Sequence, residues 1–153
     1  MGYDLIPKKE GVNSKSGMIL TWPVILQKTG AGYLFGYGMN TFDPGKYIYN
    51  GSRPDGSPVS NDGFEVSKDE ALVMAKLFRG YVFVKRELRK EWDKKPEKEQ
   101  VWLKSLLGNK AEPPAETFLQ KVEELAEFCE QSEGFNLFCC SLSILDALGN
   151  ALN

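Results

Sequence analysis

The sequence predicts a single, mainly helical α+β domain, and three features carry that reading. Residues 68 to about 92 form one long amphipathic run, opened by a helix-start signal and closed before Pro96. Two shorter amphipathic runs follow it, at 97–107 and 115–132. Ahead of them, residues 30–63 hold eight of the fifteen glycines, three prolines and the aromatics Tyr33, Phe35, Tyr37, Phe42, Tyr47 and Tyr49, a composition of turns and short strands. The 153 residues suffice for one core. They divide into a glycine- and aromatic-rich half, 1–63, and a helical half, 64–153.

The long helix is the best-specified element. Ser67 and Glu70 have the spacing of a capping box, in which the serine oxygen accepts from the backbone N–H three residues on and the glutamate reaches back. Val66 can staple against Ala71, and Asp69 and Glu70 suit the positive end of the helix dipole. Apolar residues recur at 71, 74, 75, 78, 81, 82, 88 and 92, the spacing of one buried face. Gly80 in mid-helix implies a close approach or a slight bend.

The rest follows in order. Tyr3, Leu5 and Ile6 predict a strand or an anchored arm, and residues 8–17 a polar loop. Thr21-Trp22-Pro23 opens a short helix that runs to Gly30, with proline in the first turn. Tyr33, Phe35 and Tyr37 alternate as on one face of a strand, and Asp43-Pro44-Gly45 and Arg53-Pro54-Asp55-Gly56 are turn sequences, so a small hairpin or an ordered loop is expected. Asn61-Asp62-Gly63 reads as a turn. After the long helix, Val101, Trp102 and Leu106 share one side of the third helix, which Gly108-Asn109 stops. Phe118, Val122, Leu125, Ala126 and Cys129 stripe the fourth. Residues 135–139 alternate as a short strand, and Ser141 can cap a last helix carrying Leu142, Leu145, Leu148 and Leu152.

Composition narrows the chemistry. The chain has no histidine, which removes Ser-His-Asp triads, Cys-His dyads and histidine metal sites. Its net charge of −2 does not imply nucleic acid or an anionic membrane as a partner, and no run of 18 apolar residues spans a bilayer. A signal-peptide layout is missing at the N-terminus, and three cysteines fit free thiols in a reducing cytoplasm.

Several pieces share an order. Tyr3-Asp4-Leu5, Trp22-Pro23, Ser60-Asn61-Asp62-Gly63 before a helix with Ala71 and Met74-Ala75, and Ser132-Glu133-Gly134-Phe135 resemble a loose set of small phage and bacterial proteins that begin Met-Gly-Tyr-Asp-Leu. The resemblance covers most of residues 1–138. It brings no activity and no site residues, but implies a phage-type source, the host cytoplasm as the compartment, and an accessory or counter-defence role exerted by binding.

The candidate sites each carry two readings. Trp22, Tyr33, Phe35, Tyr37, Tyr47 and Tyr49 are either walls of a ligand pocket or the filling of a small core. Asn61 and Asp62 place a carboxylate at a pocket edge, or bond their own turn. Gly30-Ala31-Gly32 and Gly36-Tyr37-Gly38 complete no phosphate-loop pattern. Residues 85–95 carry a net +3, either a contact for phosphate or a solvated face with internal i,i+4 pairs, and residues 112–133 a net −6; the acidic helix mimics nucleic acid, binds a basic partner, or is a wet helix face docked near the basic one. Arg79 is expected to point inward, toward a carboxylate such as Asp4. Cys139 and Cys140 are adjacent and form no Cys-x-x-Cys.

The function expected is therefore a non-enzymatic binding protein for a partner protein or a small nucleotide-like ligand, without cofactor or metal. Self-association through the C-terminal leucine helix is a further expectation. The rival is a carboxylate-based enzyme acting on a nucleotide-like substrate, Mg²⁺-dependent in one form; only Asp62, Glu65, Asp69 and Glu70 come close together, and capping explains the last two.

Overall fold

A computed structural model of the chain describes residues 3–17, 21–35, 37–39, 47–49 and 62–139. The long helix, α2 (Lys68–Asp93), starts where its signals place it. Ser67 Oγ accepts from the Glu70 N–H at 3.2 Å, and Glu70 Oε1 accepts from the Ser67 N–H at 3.1 Å. Ser67→Ala leaves a first-turn N–H without its acceptor and is expected to cost about 1 kcal/mol, a drop of about 2–4 °C in Tm for a domain of this size, read by thermal melt. The helix ends at a Lys94 cap, and Pro96 becomes the cap of α3 (Glu97–Leu107).

Three strands form a sheet in the order β1 (Tyr3–Pro7), β5 (Phe135–Cys139), β4 (Asp62–Val66), with both pairings antiparallel. The last strand in sequence lies in the middle, with Leu5 opposite Leu137 and Val66 opposite Phe135. Side chains alternate across the sheet: Leu5, Phe64, Val66, Phe135 and Leu137 are buried, whereas Ile6, Glu65 and Phe138 are exposed. The buried side meets α1 (Thr21–Thr29), α2 and α4 (Glu116–Gln131), an arrangement of helices on one face of an antiparallel sheet. Trp22, Ile25, Leu26, Met74, Phe78, Leu119, Val122, Ala126 and Cys129 fill the space between them. A separate two-stranded hairpin pairs β2 (Tyr37–Met39) with β3 (Tyr47–Tyr49).

The structure departs from the sequence reading at specific points. Tyr33 and Phe35 lie on a 3-10 turn (Ala31–Phe35) rather than a strand, so they point apart instead of sharing a face. Asp62 and Gly63, expected in a turn, belong to β4, where Gly63 takes φ +76° at a register irregularity between Asp62 and Phe64, and Asn61 lies outside the described residues. Leu88, expected inside, is exposed. Gly80 makes no close approach within the described residues: a methyl group built there meets nothing within 4 Å, although glycine costs a helix interior about 1 kcal/mol relative to alanine. Arg79 turns outward to Glu130. The expected C-terminal helix and Cys140 lie outside the described residues.

Candidate functional site

Two of the aromatic residues expected as pocket walls, Trp22 and Phe35, are packed away. Trp22 is 1% exposed and Phe35 2%. Their rings meet edge to face at 5.5 Å, Trp22 also stands edge-on to Phe135 at 6.3 Å, and Phe35 lies 5.2 Å from Phe64. Neither therefore offers a ring face to a ligand; both realise the core-filling alternative. Tyr33, by contrast, is 44% exposed on the outer side of the 3-10 turn. Tyr37 and Tyr49 are paired across the hairpin and Tyr47 opposes Met39, but their side chains, and that of Asp62, lie outside the described residues, as does Asn61 entirely.

The carboxylates of the rival reading are distributed among structural tasks. Glu70 caps α2, Asp69 sits in the same first turn, and Glu65 is ion-paired with Lys8. Among the described residues, no group of three or more His, Cys, Asp or Glu is placed to hold a metal ion. Burial pushes the Cys129 thiol up to about 12, with Glu130 adding to the shift, so little nucleophilic thiolate exists near neutral pH.

Three glutamates of the acidic helix are paired within the chain. α4 lies against α2, and Arg79 forks onto Glu130 with both contacts at 2.6 Å. Arg86 reaches Glu116 at 2.7 Å and Glu123 at 2.8 Å, and Arg89 holds Glu112 at 2.9 Å. Their guanidiniums hold the carboxyls of Glu123 and Glu130 below the ordinary glutamate value, as Lys104 and then Arg89 do for Glu112. These groups stand near the surface, so each pair adds little stability; the ladder fixes which face of α4 meets α2. It also has a pH signature. The folded state releases these protons more readily than the unfolded chain, so the contribution is complete above the unfolded value near 4.5 and is lost as pH falls through the depressed folded values. Tm is expected to be level from about pH 8 to 5 and to decline gently below about pH 4 as these pairs are lost, read by thermal melts across that range.

Where the ladder ends, a polar cleft of about 480 Å³ opens between α2, the Gly108–Lys110 turn and the start of α4. Lys28, Arg89 and Lys104 line it against one carboxylate, Glu112. Arg89 Nη1 donates to Glu112 Oε1 at 2.9 Å and to the Pro113 carbonyl at 3.1 Å; Lys104 Nζ lies 2.9 Å from Glu112 Oε2. The Lys28 ammonium rests 5.2 Å over the Phe118 ring. With three cations to one anion, the cleft is suited to an anionic ligand.

Beside it lies an exposed apolar surface on α3. α3 buries none of its residues. It touches the body through Gln100, which donates to the Trp92 carbonyl at 3.0 Å, and through Lys104, 5.7 Å over the Trp92 ring. Val101, Trp102, Leu106 and Leu107 are each more than half exposed. A cleft of about 240 Å³ between α2 and α3, lined by Leu88, Trp92, Leu103 and Leu107 among others, adjoins them. The spacing of Val101, Trp102 and Leu106 marks an apolar side of a helix, but periodicity looks the same whether that side meets a core or a partner. The cationic cleft has no sequence signal, because its lysines and arginine come from three separate elements.

By its fold the chain is a mainly helical α+β protein, in which no helix of the described residues is long and apolar enough to cross a membrane. No family model, curated protein or solved structure matches it.

Proposed function

We propose that the chain is a non-catalytic binding protein that acts by occupying a partner protein through the apolar side of α3 and the adjoining α2–α3 cleft. The observation that supports this reading is the exposure of Val101, Trp102, Leu106 and Leu107 on a helix with no buried residue. Clustered exposed apolar groups are the usual mark of an interaction site, and here Trp102 and Leu106 are surface neighbours one turn apart, with tryptophan a usual anchor. An eleven-residue helix is also too short to be stable by itself in water, so a partner that covers its apolar side stabilises it as well as being bound by it. The phage accessory or counter-defence role implied by the resemblance belongs to this same proposal.

The double variant Trp102→Asp/Leu106→Asp tests it. Neither side chain is buried, so the circular dichroism spectrum and the melt are expected to stay native. Co-purification of a partner from cells expressing the chain is expected with the native sequence and lost with the variant. Equal capture by both, or no partner captured by the native chain, would sink the reading.

The cationic cleft favours a second reading, sequestration of a small anionic, nucleotide-like ligand between Lys28, Arg89 and Lys104. A ligand at a hundred times its Kd adds about 2.7 kcal/mol to stability. A thermal-shift panel of nucleotides is therefore expected to raise Tm for one class, and Lys28→Ala to reduce the rise. A panel without any shift removes this second reading.

A further inference from the structure

We infer that the outer face of α2 is a dimerisation surface, and that its occupant is the same face of a second copy of this chain, crossing antiparallel at Gly80. The inference stands on α2 alone and does not rest on the proposed role of α3.

On a helix, the surface neighbours of one position are the residues three, four, seven and eight away. For Gly80 these are Leu72, Val73, Leu77, Phe83, Val84 and Leu88, together with one cation, Lys76, and one anion, Glu87. Leu72, Val73, Phe83 and Val84 face away from the core-facing set of Ala71, Met74, Ala75, Phe78 and Val82, while Leu77 and Leu88 form the edge of the patch, Leu77 beside the core and Leu88 beside the α2–α3 cleft. Phe83 is 69% exposed, Leu72, Val73, Val84 and Leu88 are also exposed, and only Leu77 leans on the core. A solvated helix face is ordinarily polar. This one is apolar for about 24 Å, from 72 to 88 at 1.5 Å per residue.

Gly80 at its centre points to the occupant. The glycine is unfavourable in a helix interior, and no described residue approaches it. Its absent side chain becomes useful when another backbone comes close. In a two-fold dimer each copy presents the same patch, so glycine meets glycine at the axis and the two helices approach most closely there.

The two charges set the direction. In an antiparallel crossing at Gly80, Lys76, one turn before the glycine, lies within a turn of the second copy's Glu87, two turns after its own. The symmetry makes this pair twice. A parallel crossing would set Lys76 against Lys76 and Glu87 against Glu87, a like-charge juxtaposition that interfaces avoid. Glu87 already accepts from Lys90 at 2.7 Å, an exposed contact that is readily exchanged.

Sedimentation of the full chain from about 1 to 100 μM is expected to show a concentration-dependent species of twice the chain mass. Lys76→Glu and Glu87→Lys should each raise the dimer dissociation constant at least about tenfold, and the combined charge swap should restore it. Both sites are on the surface, so the variants keep the fold. Val84→Asp should be monomeric throughout. Gly80→Ala should melt higher in the dilute monomer, because alanine favours the helix, yet dimerise more weakly. Four results would overturn the inference: a monomer at every concentration, a dimer indifferent to Lys76→Glu and Val84→Asp, a swap that fails to rescue, or a dimer lost only on removing residues 140–153 or on Leu106→Asp.

Discussion

Trp22→Ala is expected to remove a large share of the stability of the domain. The side chain is 1% exposed and touches Phe35 and Phe135 edge to face, so it ties α1 to the 3-10 turn and to the central strand of the sheet. Truncating a buried tryptophan costs about 3–5 kcal/mol, because the transfer energy is lost and the cavity only partly collapses. A domain has in total about 5–15 kcal/mol. Urea unfolding should show a midpoint lowered by a third or more of its native value, with an unchanged slope if the variant still folds cooperatively. If Trp22 were a ligand wall, the midpoint would hold and only binding would suffer. The same melt therefore separates the two roles open to this residue from the sequence.

Gly134→Ala is expected to be the most damaging of the small substitutions. Gly134 has φ +95°, a backbone region that an L side chain rarely adopts, and it joins α4 to β5. A methyl group there would stand 2.7 Å from the Val66 carbonyl oxygen and 3.0 Å from the Lys68 nitrogen. Both are backbone atoms at the junction of β4 and α2, so neither can swing aside as a flexible side chain would. The conformational strain is about 1–2 kcal/mol, and overpacking against fixed atoms adds about 1–3 kcal/mol. Gly11→Ala is the control: it has φ +82° with nothing within 4 Å, and should lose only the strain. Melts of the two variants measure the backbone contact by difference. Equal losses would mean that the β4–α2 junction yields where the geometry says it cannot.

These two residues also show how far a sequence can be read. Trp22-Pro23 and the Gly134 stop are visible as local signals: a helix start and a helix end. Whether the indole faces a core or a ligand depends on Phe35 and Phe135, and the cost of a methyl at 134 depends on Val66 and Lys68. None of those partners is near in sequence to the residue it decides. The same holds for α3. Its bounds are legible from Pro96 and Gly108, while the exposure of its apolar side is not. Leu88 fits the buried spacing of α2 and is nevertheless exposed, because it borders the open α2–α3 cleft instead of the core. The pairing of the acidic helix with the basic stretch of α2 is suggested by opposite charge, but which glutamate meets which arginine is a matter of crossing geometry.

The sequence by itself determined the elements whose signals act over one or two turns. These are the capping box of Ser67 and Glu70, the length of α2, the ends of α3 and α4, and the exclusion of histidine chemistry. Such signals are local hydrogen bonds and backbone preferences, which need no knowledge of the fold. Only the tertiary structure decided the placement of β5 between β1 and β4, the burial of Trp22 and Phe35, the cleft of Lys28, Arg89 and Lys104, and the apolar sides left uncovered on α2 and α3. The physical reason is that burial is a property of pairs of surfaces: a helix face is apolar by its own residues, but it becomes core only when another element covers it.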